Sequence, residues 1–391
     1  MNTMNTNFFR LGGAVLLSGC LLIQAPLARA QTGGKSQPAA GQQAAAGQQA
    51  SAKEPQSDHA QRISAIFART KSATSAQDYS AIIDDCGDLL QQDSLSAAHR
   101  YYLKSLLAWT HDRRGVKRAE VVPLLQAAEN YEQADLALNR AMQDFDRAIQ
   151  LDETRWQAWL HRGVLKGQVL ATQAAIDDFD RVLELEPQHT NARFNRAECR
   201  YQLREFATAL EDYRAVLEQS PGDLQAMTGK AHSLLMLGQY DLALAEYDLV
   251  IKLKPAACWA WANRADAHFE MGDLDRAYAD YQHALELEPA ADVYRRLAWM
   301  FATSDAEEYY RPETAVELAR QAIALQGETP QRLDTLAAAL AATGEFDDAQ
   351  AVQQQAIQLA QFADEGMRKR LARYKTGKAW SRKAAGQPQI R

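Results

Sequence analysis

The chain has 391 residues, 47% hydrophobic and 24% charged, with 43 Lys and Arg against 50 Asp and Glu for a formal charge of −7. This is the composition of a folded protein with a substantial core, arranged as one large domain, two ordinary ones or a repeat array. Residues 61–363 carry 30 basic and 46 acidic side chains, and 367–391 carry nine basic and no acidic ones; the acidic body argues against nucleic acid as a partner.

In chain order, the first expected element is an export signal over residues 1–30. Arg10 precedes an apolar run from Leu11 to Ile23, Pro26 breaks it, and Ala28-Arg29-Ala30 supplies the small-x-small pattern of a cleavage site. The run is short for a permanent membrane span. Cleavage after Ala30 would deliver the protein to the periplasm or cell envelope. The overlapping Leu17-Ser18-Gly19-Cys20 resembles a lipoprotein box; that alternative makes Cys20 the lipidated first residue of a membrane-anchored protein. Residues 31–60 are rich in Gln, Ala, Gly and Ser, with too few large apolar side chains to offset the entropy of ordering. They read as a disordered linker.

Periodicity decides the fold. Pro187, Pro221, Pro255 and Pro289 are spaced by 34 residues. With each proline as position 32 of a 34-residue unit, the units begin at Trp156, Thr190, Leu224 and Cys258. Position 8 is Gly163, Ala197, Ala231, Ala265; position 20 is Ala175, Ala209, Ala243, Ala277; position 24 is Phe179, Tyr213, Tyr247, Tyr281. Small residues at 8 and 20 let two antiparallel helices approach closely, the aromatic fills the space toward the next unit, and the proline ends the second helix. A single pair cannot bury its apolar face, so units must stack.

This pattern resembles the tetratricopeptide repeat (TPR) family, and the C-terminal segments resemble exported bacterial members. The resemblance implies an all-α, right-handed superhelical solenoid of about seven or eight antiparallel helix pairs. Four regular units span 156–289. Divergent units occupy 61–155, where Ala97–Arg113 is the expected partner helix and 115–137 an insertion. Further units occupy 290–363 with an insertion at 304–311, followed by a capping helix over 364–376 and a basic tail over 377–391. The two insertions are the expected places for unit-specific function, since departures from a repeat map to loops.

No nucleophile, phosphate-loop or metal-binding motif occurs, so no catalytic residue, metal site or cofactor is expected. One charge pattern does repeat. Position 7 is Arg162, Arg196, Lys230, Arg264, and position 23 is Asp178, Asp212, Glu246, Asp280. A base and an acid replaced together read as an ion pair joining the two helices of each unit.

By the family resemblance, ligands lie in a concave groove lined by first helices. Candidate groove residues are His161, Asn191, Asn195, Glu198, Tyr201, His232, Trp259, Asn263, Asp266 and Phe269. An amide such as Asn195 or Asn263 both donates and accepts, as a peptide backbone requires; Trp259, Phe269 and Tyr201 are candidate anchors. The groove lacks the Lys and Arg of the family's carboxylate clamp and contains Glu198 and Asp266, so a neutral or basic protein segment is the expected partner. The expected function is a noncatalytic protein-binding scaffold of the periplasm or envelope. The alternatives are an envelope tether that reaches the membrane through lipidated Cys20 or the basic tail, and a recognition subunit of an envelope enzyme.

Overall fold

A computed structural model describes residues 58–360 and 365–381. The expected signal, Cys20 and nearly all of the linker lie outside the described residues. The described chain is helical, with no strand. It divides into two compact units, one ending at Gln219 and the next beginning at Ser220.

The first unit holds α1 (Asp58–Thr70), α2 (Ala76–Leu90), α3 (Ala97–Glu120), the short α4 (Val122–Ala127), α5 (Tyr131–Leu151), α6 (Trp156–Gln168), α7 (Thr172–Leu185), α8 (Thr190–Gln202) and α9 (Phe206–Gln219). Consecutive helices pack as α1/α2, α3/α5, α6/α7 and α8/α9. The second unit holds α10 (Leu224–Met236), α11 (Tyr240–Leu253), α12 (Cys258–Met271), α13 (Leu274–Leu287), α14 (Ala291–Thr303), α15 (Pro312–Gln326), α16 (Pro330–Thr343), α17 (Phe346–Leu359) and α18 (Glu365–Tyr374). Its pairs are α10/α11, α12/α13, α14/α15 and α16/α17, with α18 against α17.

Local signals set the boundaries. Ser75 and Asp78 form a reciprocal capping box at α2. Asp223 caps α10 by accepting from Gln225 N and Ala226 N. Gly272 and Gly344 end α12 and α16 with φ of 86° and 91°, where a side chain would be strained. In the regular units the 34-residue pattern is also the packing pattern. Ala175, Ala209, Ala243 and Ala277 are completely buried, and Phe179, Tyr213, Tyr247 and Tyr281 are at most 1% exposed. Gly163 approaches Phe179 so closely that a Cβ there would lie 2.8 Å from the ring.

The same contact recurs on α3, where a Cβ on Gly115 would lie 2.6 Å from the Phe145 ring. This corrects the expected insertion at 115–137. Gly115, Val116 and Ala119 are buried on the last turns of α3, so the first helix of this pair continues to Glu120 and does not stop at Arg113. The added residues are those around α4 and the start of α5.

Candidate functional site

Each regular unit joins its helices through charge. Arg162 donates to Asp178 through Nε at 2.9 Å and Nη2 at 2.7 Å, and its Nη1 reaches Asp146 at 2.7 Å. Arg196 repeats this with Asp212 and Asp180, and Arg264 with Asp280 and Asp248. Each arginine thus links its own second helix to that of the preceding pair. Lys230 pairs with Glu246 at 2.5 Å. Burial lowers the Arg162 pKa, but Asp178 and Asp146 outweigh it and hold the guanidinium charged.

Sequence reading missed an earlier member of this ladder. Asp144, 2% exposed, accepts from Arg114 and Arg118 and lies 3.1 Å from His111 Nδ1. It stands 34 residues before Asp178, so register alone could have found it. Its arginine was obscured because Arg114 and Asp144 are 30 residues apart, whereas Arg162 and Asp178 are 16 apart.

Among the groove candidates of the first unit, most point inward. His161 is 4% exposed, and its Nδ1 lies 2.7 Å from Asp112 Oδ1. Burial pushes the Asp112 pKa up, but His161 and Arg155 outweigh it and the carboxyl stays below its usual value. Glu198, 4% exposed, accepts from Tyr213 Oη. Both residues serve the fold, which corrects the expectation that they line a free groove. Asn195 is also buried and borders, with Gly163, Gly167, Glu198 and Cys199, a cavity of about 10 Å³, room for one water. Asn191 and Tyr201 stay half-buried, with the Tyr201 ring edge-on to Phe206 at 5.2 Å.

In the second unit the candidates converge. Arg296 on α14 donates Nη1 to Asn263 Oδ1 at 3.0 Å and to Asp266, and its Nε reaches Asp292 Oδ2 at 2.6 Å. Tyr281 Oη also donates to Asp266. Burial lowers the Arg296 pKa, but Asp266 and Asp292 reverse that and keep it charged. His232 on α10 is half-buried; burial, with Arg296 close by, pushes its pKa down to about 4, against a hydrogen bond with Asn263. Asn263 is therefore part of an internal network, which corrects its role as a free peptide-holding amide. Phe269 is buried at 6%. Asp266 keeps 35% of its side chain exposed, and Trp259, two turns earlier on α12, is 41% exposed. Sequence reading omitted Arg296, although extending the 34-residue register one unit past Pro289 places it at position 5 of the next first helix.

The insertion at 304–311 is not a free loop. Tyr309 Oη donates to Asp275, Tyr310 Oη donates to Ala342 O at 2.9 Å, and Arg311 lies 5.1–5.8 Å from the ring centres of Phe301, Tyr278 and Tyr309. The C-terminal basic run is also partly consumed by the fold. Arg370 donates twice to Asp334 at 2.7 Å and lies between the rings of Trp299 and Trp380. Arg373 Nε donates to Ala379 O at 2.6 Å. Arg370, Arg373 and Trp380 are thereby removed from the set free to grip an anionic surface, while Arg368, Lys375 and Lys378 remain exposed.

Family models described as tetratricopeptide repeat match residues 172–224, 200–257 and 258–290. Residues 172–290 are therefore tetratricopeptide repeats. Similar solved structures include a tetratricopeptide repeat protein from Parabacteroides merdae, 19% identical with a TM-score of 0.45, covering 71% of this chain and 97% of that one. Yeast Tom70 is 14% identical with a TM-score of 0.48, covering 84% of this chain and 66% of that one. YrrB, described as a TPR protein with an unusual peptide-binding site, is 18% identical with a TM-score of 0.38, covering 46% and 89%. No curated protein sequence matches the chain. Proteins of this family are generally noncatalytic and bind protein or peptide partners, and the fold supports a protein–protein interaction scaffold.

Proposed function

We propose that this protein is an exported, noncatalytic scaffold of the periplasm or cell envelope that binds an extended neutral or basic segment on the first-helix face of its second unit. One observation carries the reading. Trp259 and Asp266 lie seven residues apart on α12, hence on one helix face, and the aromatic is 41% exposed beside a partly exposed carboxylate. An exposed indole on a rigid helix offers a large contact area at small entropic cost, and the carboxylate selects a neutral or cationic neighbour. The network around Arg296 holds Asp266 in place, so ordering falls mainly on the ligand.

The test is capture from envelope extract by the wild-type protein, Trp259→Ala and Asp266→Asn, with circular dichroism to verify folding. A partner lost with Trp259→Ala and weakened with Asp266→Asn supports the reading; one retained by both overturns it. Export is tested by the mass of the mature N-terminus. Removal through Ala30 supports the signal, a diacylglyceryl adduct on Cys20 supports the tether alternative, and an unprocessed cytoplasmic chain overturns both.

A further inference from the structure

The outer helix of the repeat at 224–257 differs from its neighbours. On α11, Leu242, Leu249 and Leu253 are 54%, 48% and 54% exposed. At 100° per residue they fall within about 40° of one another, with the exposed Ala245 beside them. The fold does not demand Leu242 or Leu249, whereas Leu253 stands at position 30, which is also leucine at Leu185 and Leu287. Position 19 is Ala174, Thr208 and Arg276 in the other regular units, and position 26 is Arg181, Ala215 and His283. An apolar stripe on a surface helix, where the repeat elsewhere tolerates polar groups, marks an interaction face.

The charges flanking the stripe identify its occupant. Asp241 stands at the N-terminal end of the stripe and Lys252 at the C-terminal end, both exposed and on the same flank. Neither has an ion-pair partner among the described residues. We propose that α11 packs antiparallel against α11 of a second copy of this chain. A two-fold axis at the middle of the helix sets Leu242 opposite Leu253 of the copy and Leu249 near its own counterpart. The same axis brings Asp241 alongside Lys252 of the copy, twice per dimer, because the two copies meet same flank to same flank. The surface is therefore complementary to itself, as an isologous contact requires. A parallel arrangement would set the like flanks of the two copies on opposite sides of the contact, leaving Asp241 and Lys252 without each other.

The test is sedimentation equilibrium of the whole protein over about 1–100 μM, with circular dichroism to verify folding. Wild type is expected to show a reversible monomer–dimer equilibrium. Leu242→Asp/Leu249→Asp should weaken it by more than ~10-fold, since both residues sit on the two-fold contact. Asp241→Lys should weaken it ~2–10-fold, and Asp241→Lys/Lys252→Asp should restore it to within ~2-fold. A wild-type monomer throughout the range overturns the proposal. So does a dimer indifferent to the leucines, or one that the double charge reversal fails to restore.

Discussion

Removing Asp178 alone should cost more stability than removing its exposed counterpart on the same arginine. The Asp178 side chain is 2% exposed and accepts two bonds from Arg162, at 2.9 and 2.7 Å, with Lys166 Nζ at 2.9 Å. Asp178→Ala leaves two cations against a buried wall. Breaking a fully buried pair costs about 3–5 kcal/mol. Arg162 and Lys166 keep 15% and 20% exposure, and Arg162 retains Asp146. The expected loss is therefore about 2–4 kcal/mol. Asp146 is 45% exposed, so Asp146→Ala should cost only about 0.2–1 kcal/mol. Replacing Arg162 as well, in Arg162→Leu/Asp178→Phe, should recover part of the loss, because only Lys166, 20% exposed, is then left without its carboxylate. Urea denaturation gives the global value. Native-state hydrogen exchange at α6 and α7 gives the local one, which matters because stacked repeats need not unfold as one body. An Asp178→Ala protein within about 1 kcal/mol of wild type, or equal to Asp146→Ala, would refute this account.

Three further outcomes are expected. The His232 pKa is depressed from 6.5 to about 4 by burial and then by Arg296; the unfolded chain takes up that proton first, so stability is lost as pH falls from 6.5 toward 4. The total is about 2–3 kcal/mol, so the stability difference between wild type and His232→Gln, read from denaturation midpoints, should stay constant above pH 6.5 and shift against wild type by about that amount as pH falls toward 4; a difference that does not change with pH would contradict this. Gly163→Ala should destabilise by about 1–2 kcal/mol despite the better helix former, because its Cβ must displace the buried Phe179 ring; a melting temperature equal to or above wild type would contradict this. Cys86 and Cys258 are buried, which pushes their thiols up to about 12 and about 11, so neither should react with a thiol reagent at pH 8 until the chain unfolds.

The 34-residue register was legible because it is a local property. Each unit repeats the same small, aromatic and proline positions, so four copies in the sequence state the helix boundaries and the buried faces together. The within-unit charge pairs were legible for the same reason. The freedom of the groove residues was harder to read, although a signal existed. Position 9 is apolar Val164 where position 24 is Phe179; where position 24 is Tyr213 or Tyr281, position 9 is Glu198 or Asp266. The tyrosine hydroxyl needs an acceptor when buried, and the acid supplies it. Read as a pair, Glu198 would not have been counted as free.

The sequence by itself determined the helical class, the repeat length and the side chains that let helices approach, because these follow from periodicity and residue size. Only the tertiary structure decided which polar groups are spent. The bond from each position-7 arginine to the preceding pair, the capture of Asn263 by Arg296, and the enclosure of Arg370 by Trp299 and Trp380 all join separate helices. Such contacts depend on how far one element lies from the next, and insertions such as the one between Arg114 and Asp144 shift that distance in sequence while leaving it unchanged in space.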